Sequence, residues 1–174
     1  MRFLKVFLTG AIGLFIIITL LSLLIPSKVW VSRTTLINTS AAKVSEQVSL
    51  LPNWKHWHPV FKDSVTKINL VPTRTGINSA EINYGSKSAK IIITSATANS
   101  IKFLLQSPGE NDIENEVVIS PLQDHNSVQV EWRALNKLKW YPWEKFYGIF
   151  IDKITGPGYE EALKGLKDYL EGHQ

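Results

Sequence analysis

Trp143-Glu-Lys-Phe146-Tyr147-Gly148-Ile-Phe150-Ile151-Asp-Lys-Ile154-Thr-Gly156-Pro157-Gly158-Tyr159-Glu-Glu-Ala162-Leu163-Lys-Gly-Leu166-Lys-Asp-Tyr169-Leu170 is the stretch that decides the fold. Trp143, Phe146, Tyr147, Phe150, Ile151 and Ile154 recur at helical spacing. After Gly156-Pro157-Gly158 the stripe resumes with Tyr159, Ala162, Leu163, Leu166 and Leu170. The spacing predicts one long helix with an apolar face that must be covered. What it covers lies upstream. From Lys62 to Ala134 the period is two: Val128, Val130, Trp132 and Ala134 alternate with Gln129, Glu131 and Arg133. Ala80, Ile82 and Tyr84 do the same, as do Ile101, Phe103 and Leu105. Alternation of this kind gives antiparallel strands with one wet and one buried face. Turn residues fall at Thr75-Gly76, Gly85-Ser86, Ala98-Asn99, Pro108-Gly109 and Asp124-His125-Asn126, which divides the region into about six strands.

Before this run, Lys28–Ile37 is rich in Val, Trp, Thr and Ile and reads as a further strand. Asn38-Thr39-Ser40 offers helix caps for Ala41–Leu50, with Val44, Val48 and Leu51 on one face. Trp54-Lys55-His56-Trp57-His58-Pro59 reads as an aromatic turn or a second short helix. The fold class is therefore α+β. A curved antiparallel sheet of about seven strands wraps a long C-terminal helix, the only element large enough to cover it.

Residues Val6–Ile25 carry no charge. At about 1.5 Å per residue they span roughly 30 Å, the thickness of a bilayer's hydrocarbon core. The run exceeds the usual length of a signal-peptide core and ends without an Ala-x-Ala-like site, so an uncleaved anchor is expected. The division is 1–25 as transmembrane anchor and 26–174 as one domain. The chain carries +4, but Arg2 and Lys5 precede the run and all 15 acids follow it. The domain is left with a net +2, too little for a nucleic-acid surface. There is no cysteine, which excludes disulfides, a lipid-modified cysteine and thiolate metal sites. A signal-anchor reading places the domain outside the cytoplasm, in the periplasm.

Three segments resemble the START-like superfamily, also called SRPBCC or polyketide cyclase/dehydrase-like. They are Ile25-Pro26-Ser27-Lys28 through Arg33 and Asn38, Asn53-Trp54-x-x-Trp57-x-Pro59, and Trp143 through Leu170. The likeness extends to bacterial members with an amino-terminal anchor. It implies a helix-grip fold with an apolar cavity between sheet and terminal helix. It also implies ligands such as lipids, sterols or polyketides, with cyclisation or dehydration in a minority of members.

Six residues are the candidate cavity lining: Tyr84, Phe103, Trp132, Phe146, Tyr147 and Phe150. The two tyrosines would orient a ligand through their hydroxyls. Gly148 and Gly156 suggest space beneath the helix. Catalysis would need a titratable group in the cavity, for which Asp63, Glu81 and His58 are the candidates. His56-x-His58 supplies only two of the three or more ligands a metal site needs, the rest having to come from a carboxylate such as Asp63 or from distant His125, and the expectation is a solvated loop with no metal and no cofactor. Trp140-Tyr141-Pro142-Trp143 suits a membrane interface or packing on the sheet edge. The leading reading is a membrane-anchored binder of a hydrophobic small molecule or lipid, without catalytic residues. A cyclase, dehydratase or hydrolase acting on a lipid-like substrate is the second, and an interaction module with a solid core the third. An open apolar cavity of about 300 Å³ or more would support the first two.

Overall fold

The computed structural model describes residues 2–73, 76–123 and 126–172. Thr75 and the Asp124-His125 turn therefore lie outside the described residues. Helix α1 (Arg2–Ser22) comes first, and its apolar side chains stand free of the domain; only Ser22 is buried. Among the described residues it is the one helix long and apolar enough to cross a membrane. Strand β1 (Lys28–Ile37) follows, then α2 (Ala41–Ser49), a 3₁₀ turn (Leu51–His56) and α3 (Pro59–Lys62). Six more strands run β2 (Lys67–Thr73), β3 (Gly76–Tyr84), β4 (Lys87–Ala96), β5 (Ser100–Gln106), β6 (Ile113–Pro121) and β7 (Val128–Lys137), ahead of helix α4 (Pro142–Gly172).

The described strands form one antiparallel sheet in the order β1-β7-β6-β5-β4-β3-β2. Hairpins join β2 through β7 in sequence. The exception is β1, which pairs with β7 (Val31 opposite Ala134) while α2, the 3₁₀ turn and α3 carry the chain to the far edge. The β3–β4 turn is tight: Tyr84 pairs with Lys87 across Gly85-Ser86, and Gly85 takes φ +61°, a conformation glycine adopts without penalty. Pro72 sits on the outer strand β2 at a register shift, where its missing N–H costs no ladder bond. Helix α2 starts at Ser40, whose side chain accepts from the Lys43 N–H, and it buries Val44 and Val48 as the sequence pattern predicts.

Helix α4 crosses the buried face of the sheet in two differently attached halves. Its second half buries Ala162, Leu163, Leu166 and Leu170 in the main core with Trp54, Trp57, Ile101 and Val130. Each buried Leu stabilises by about 2 kcal/mol. Its first half meets the sheet mainly through Ile151, which joins Val31 and Ala134 in a smaller cluster. Here side chains of the sheet edge press onto the helix backbone. A Cβ on Gly148 would lie 2.2 Å from Leu138 Cδ1, and one on Gly156 would lie 2.0 Å from Arg33 Nη2. These glycines exist for contact, which corrects the expectation that they signal space.

The helix continues through Pro157. Proline removes the hydrogen bond to the Lys153 carbonyl, but both residues are exposed, so water can satisfy that oxygen.

Gly165 is packed against backbone: a Cβ there would meet the Trp57 carbonyl oxygen at 2.2 Å, whereas a Cβ on Gly158 meets nothing within 4 Å. The same substitution should thus act with opposite signs along one helix. Gly165→Ala is expected to cost about 1–2 kcal/mol net of its better helix propensity. Gly158→Ala should be neutral or stabilising by up to about 1 kcal/mol. Chemical denaturation of the two variants in parallel checks this; equal shifts would contradict the packing described.

Candidate functional site

The two core clusters do not merge under the middle of α4. There, against the main cluster, lies a cavity of about 240 Å³. Its floor is Ile82, Ile91, Phe103, Leu105, Asn115 and Trp132 from the sheet. Its roof is Thr155, Gly158, Tyr159 and Ala162 from α4, and its wall is Trp54, His58 and Val60. Val60 and Gly158 are exposed and mark the mouth. The volume falls below the roughly 300 Å³ at which ligand pockets usually begin. A larger depression, about 420 Å³, includes Glu81, Lys90 and Gln106, but it is an open polar trough on the sheet.

Aromatic packing builds the cavity wall. Trp54 is fully buried and donates its Nε1–H to the Val48 carbonyl at 2.9 Å, which fixes the ring at the end of α2. His58 stacks on Trp54 with centroids 5.1 Å apart and planes 13° apart. Phe61 and Trp57 meet the imidazole edge-on, at 5.4 and 5.3 Å. Trp132 on β7 contacts Phe103 at 5.6 Å and Tyr159 at 5.3 Å. Its Nε1–H donates to Asn115 Oδ1 at 3.0 Å, and Asn115 in turn donates to the Ile113 carbonyl. Thr155 donates its hydroxyl to the Ile151 carbonyl. The Trp and Thr donors and one of the two Asn115 amide hydrogens are therefore spent within the protein.

Two titratable side chains, His58 and Tyr159, line the cavity. His58 Nδ1 is buried without a hydrogen-bond partner. Burial in the aromatic cage holds the His58 imidazole down to about 4, so it is neutral near pH 7. Part of its ring still opens onto the cavity. Burial also pushes the Tyr159 phenol up to about 12, so it stays protonated. The lining named above carries no formal charge at neutral pH.

The six candidate residues part company here. Phe103 and Trp132 lie on the cavity floor. Tyr84 is exposed at the β3–β4 turn, Phe146 and Phe150 are exposed on the outer face of α4, and Tyr147, also exposed, borders a separate depression with Asn136, Leu138 and Ile151. Among the acid–base candidates only His58 reaches the cavity. Asp63 is exposed and accepts from Thr66 and the Val65 N–H, while Glu81 lies in the polar trough. The expected solvated loop is also corrected: His58 is caged, while exposed His56 stacks on Tyr169 at 5.4 Å. Among the described residues, no three His, Asp or Glu side chains gather to hold a metal; His125 lies outside them. Sequence reasoning missed Tyr159, Trp54 and Asn115 as lining. The available signal was Tyr159 at the head of the stripe continued by Ala162, Leu163, Leu166 and Leu170, whose inward face it shares.

No protein-family sequence model matches the chain, and no curated protein matches it. Solved structures do. A START superfamily protein from Mycobacterium smegmatis superposes with a TM-score of 0.65 at 19% identity, covering 84% of this chain and 99% of that one. A protein of unknown function from Staphylococcus aureus gives 0.62 at 17%, covering 84% and 95%. DynU16, from the dynemicin biosynthetic locus, gives 0.57 at 12%, covering 83% of this chain and 48% of its own. The chain has the START-like, or SRPBCC, helix-grip fold.

His58 makes folding stability depend on pH. Its folded value of about 4 lies below the unfolded 6.5, so between these values the unfolded chain binds the extra proton. Stability should fall as pH drops from 6.5 toward 4, by an amount on the order of 3 kcal/mol from this group. His58→Phe should flatten that part of the profile. Urea midpoints at several pH values check it, and an unchanged slope in the variant would contradict the assignment.

Proposed function

We propose that this chain is a membrane-anchored binding protein for a small, uncharged, largely apolar molecule held beneath α4. The observation that carries the reading is an apolar cavity lined by His58, whose buried Nδ1 has no hydrogen-bond partner, and by the Tyr159 phenol. A solid core would have closed this space, since empty volume forfeits dispersion contacts. Apolar burial at roughly 25 cal/mol per Å² would supply the affinity. The imidazole and phenol would fix a ligand hydroxyl or carbonyl, which fits the rule of apolar walls with few polar points. The cavity's size favours a small ligand, or one segment of a longer one. Its START-like architecture, shared with proteins named for that superfamily, supports the same reading.

Binding is favoured over catalysis by the chemistry of the wall. A general base works best with a pKa near the working pH, and His58 at about 4 is a weak one. Asp63 and Glu81 lie away from the cavity. The anchor reading rests on α1, whose exposed apolar side chains find their natural environment in lipid. With α1 as a signal anchor, the domain stands on the periplasmic side.

Ala162 is buried at the cavity roof. Ala162→Leu should fill the space from within. Mass spectrometry of the full chain, extracted gently from its membrane, is expected to find a neutral apolar molecule on the wild type. That molecule should be depleted about ten-fold on the variant, the effect of losing about 1.4 kcal/mol. An empty wild type, or equal occupancy of both, would overturn the proposal.

A further inference from the structure

The outer face of α4 changes character at Gly156-Pro157. From Trp143 to Ile154 the exposed positions are Trp143, Phe146, Tyr147, Ile149, Phe150, Lys153 and Ile154. Six are aromatic or aliphatic and one is a lysine. From Pro157 onward they are Pro157, Gly158, Glu160, Glu161, Lys164, Asp168 and Gly172, with no large apolar side chain. One helix thus shows an apolar outer face over its first half, about 17 Å long, and a polar outer face over its second. Trp143 is 63% exposed, Phe150 54% and Ile154 55%. Trp140, 68% exposed, extends the patch into the preceding loop. A continuous exposed surface of this kind marks an interaction site.

The anchor junction says what covers it. Lys145, in the first turn of α4, is almost fully buried; its Nζ donates to the Ile25 carbonyl at 2.9 Å and contacts Ser27 Oγ. Ile25 lies three residues beyond the end of α1, and α1 touches α4. The apolar half of α4 therefore starts where the membrane-span candidate ends, and the polar half lies farther along the helix. We infer that the outer face of residues 143–154 lies in the headgroup–acyl boundary of the bilayer that α1 spans. Trp140 and Trp143 suit the interface, Phe146, Phe150 and Ile154 suit the upper acyl region, and Lys153 reaches phosphate by its long stem. This rests on the anchor reading of α1. It would bring the cavity roof, beginning at Thr155 on the same helix, next to lipid.

The chain has no cysteine, so single reporters can be placed cleanly. The full chain carrying Phe150→Cys, Lys164→Cys or Leu14→Cys is labelled with an environment-sensitive fluorophore. It is then reconstituted in phosphatidylcholine–phosphatidylglycerol vesicles with doxyl lipids quenching either near the headgroups or at mid-bilayer. The expected result is headgroup-level quenching at 150 at least about two-fold above that at 164, with mid-bilayer quenching at 14. Quenching at 14 but not at 150 overturns the docking and leaves the anchor standing. A blue-shifted but unquenched label at 150 means a protein covers the face, and it overturns the docking too. No quenching at 14 overturns the anchor reading and the docking with it.

Discussion

The contact between α4 and the edge strand β1 sets the geometry on which the rest depends. Arg33, on the inward face of β1, lies across the helix at Gly156. Its Nη1 and Nη2 donate to the Asp152 carboxylate at 2.8 and 3.1 Å, and its Nε donates to Glu160 at 2.5 Å. The two acids raise the already high guanidinium pKa, so the charge is permanent. Asp152 and Glu160 are half-exposed, so the pair adds modest free energy. Its role is positional: a planar fork held by carboxylates on both sides fixes where the helix crosses the strand. A Cβ at 156 would displace the guanidinium from this position.

With the middle of the helix pinned to the sheet edge and its second half sealed by Leu163, Leu166 and Leu170, the roof between Thr155 and Ala162 bridges a gap. The rings of Trp54, Phe103 and Trp132 cannot close that gap, because each is already held by neighbours or by an Nε1–H bond. Space in this protein thus arises from stiffness on both sides of the helix. The same clamp turns the aromatic residues of the first half outward. Cavity and exposed face are consequences of one helix held at fixed points.

The architecture was legible in the sequence because period two and the helical period are carried by backbone geometry. Strand alternation in Val128–Ala134 and the burial of Val44, Val48 and Leu51 followed directly. The site was legible only in part. Phe103 and Trp132 belong to strands, where alternation decides which side is inward. Phe146, Tyr147 and Phe150 belong to a helix whose stripe switches faces at Gly156-Pro157. Periodicity reveals that a helix has an apolar face, but not whether that face turns to protein or elsewhere. The inward face of the first half is instead marked by Lys145, Gly148 and Ile151, a mixture no hydrophobic pattern selects. The burial of His58 was hidden for a related reason: its cage of Trp54, Trp57 and Phe61 forms only when the 3₁₀ turn and α3 fold.

The account stands or falls on the space beneath α4 being a ligand site. A crystal structure of the full chain, isolated from its own membrane with no ligand added, tests this most directly. The account predicts continuous non-protein density between Trp132 and Ala162, within hydrogen-bond distance of His58 or Tyr159. A cavity closed by Tyr159 or Trp132 turning into it would contradict the account.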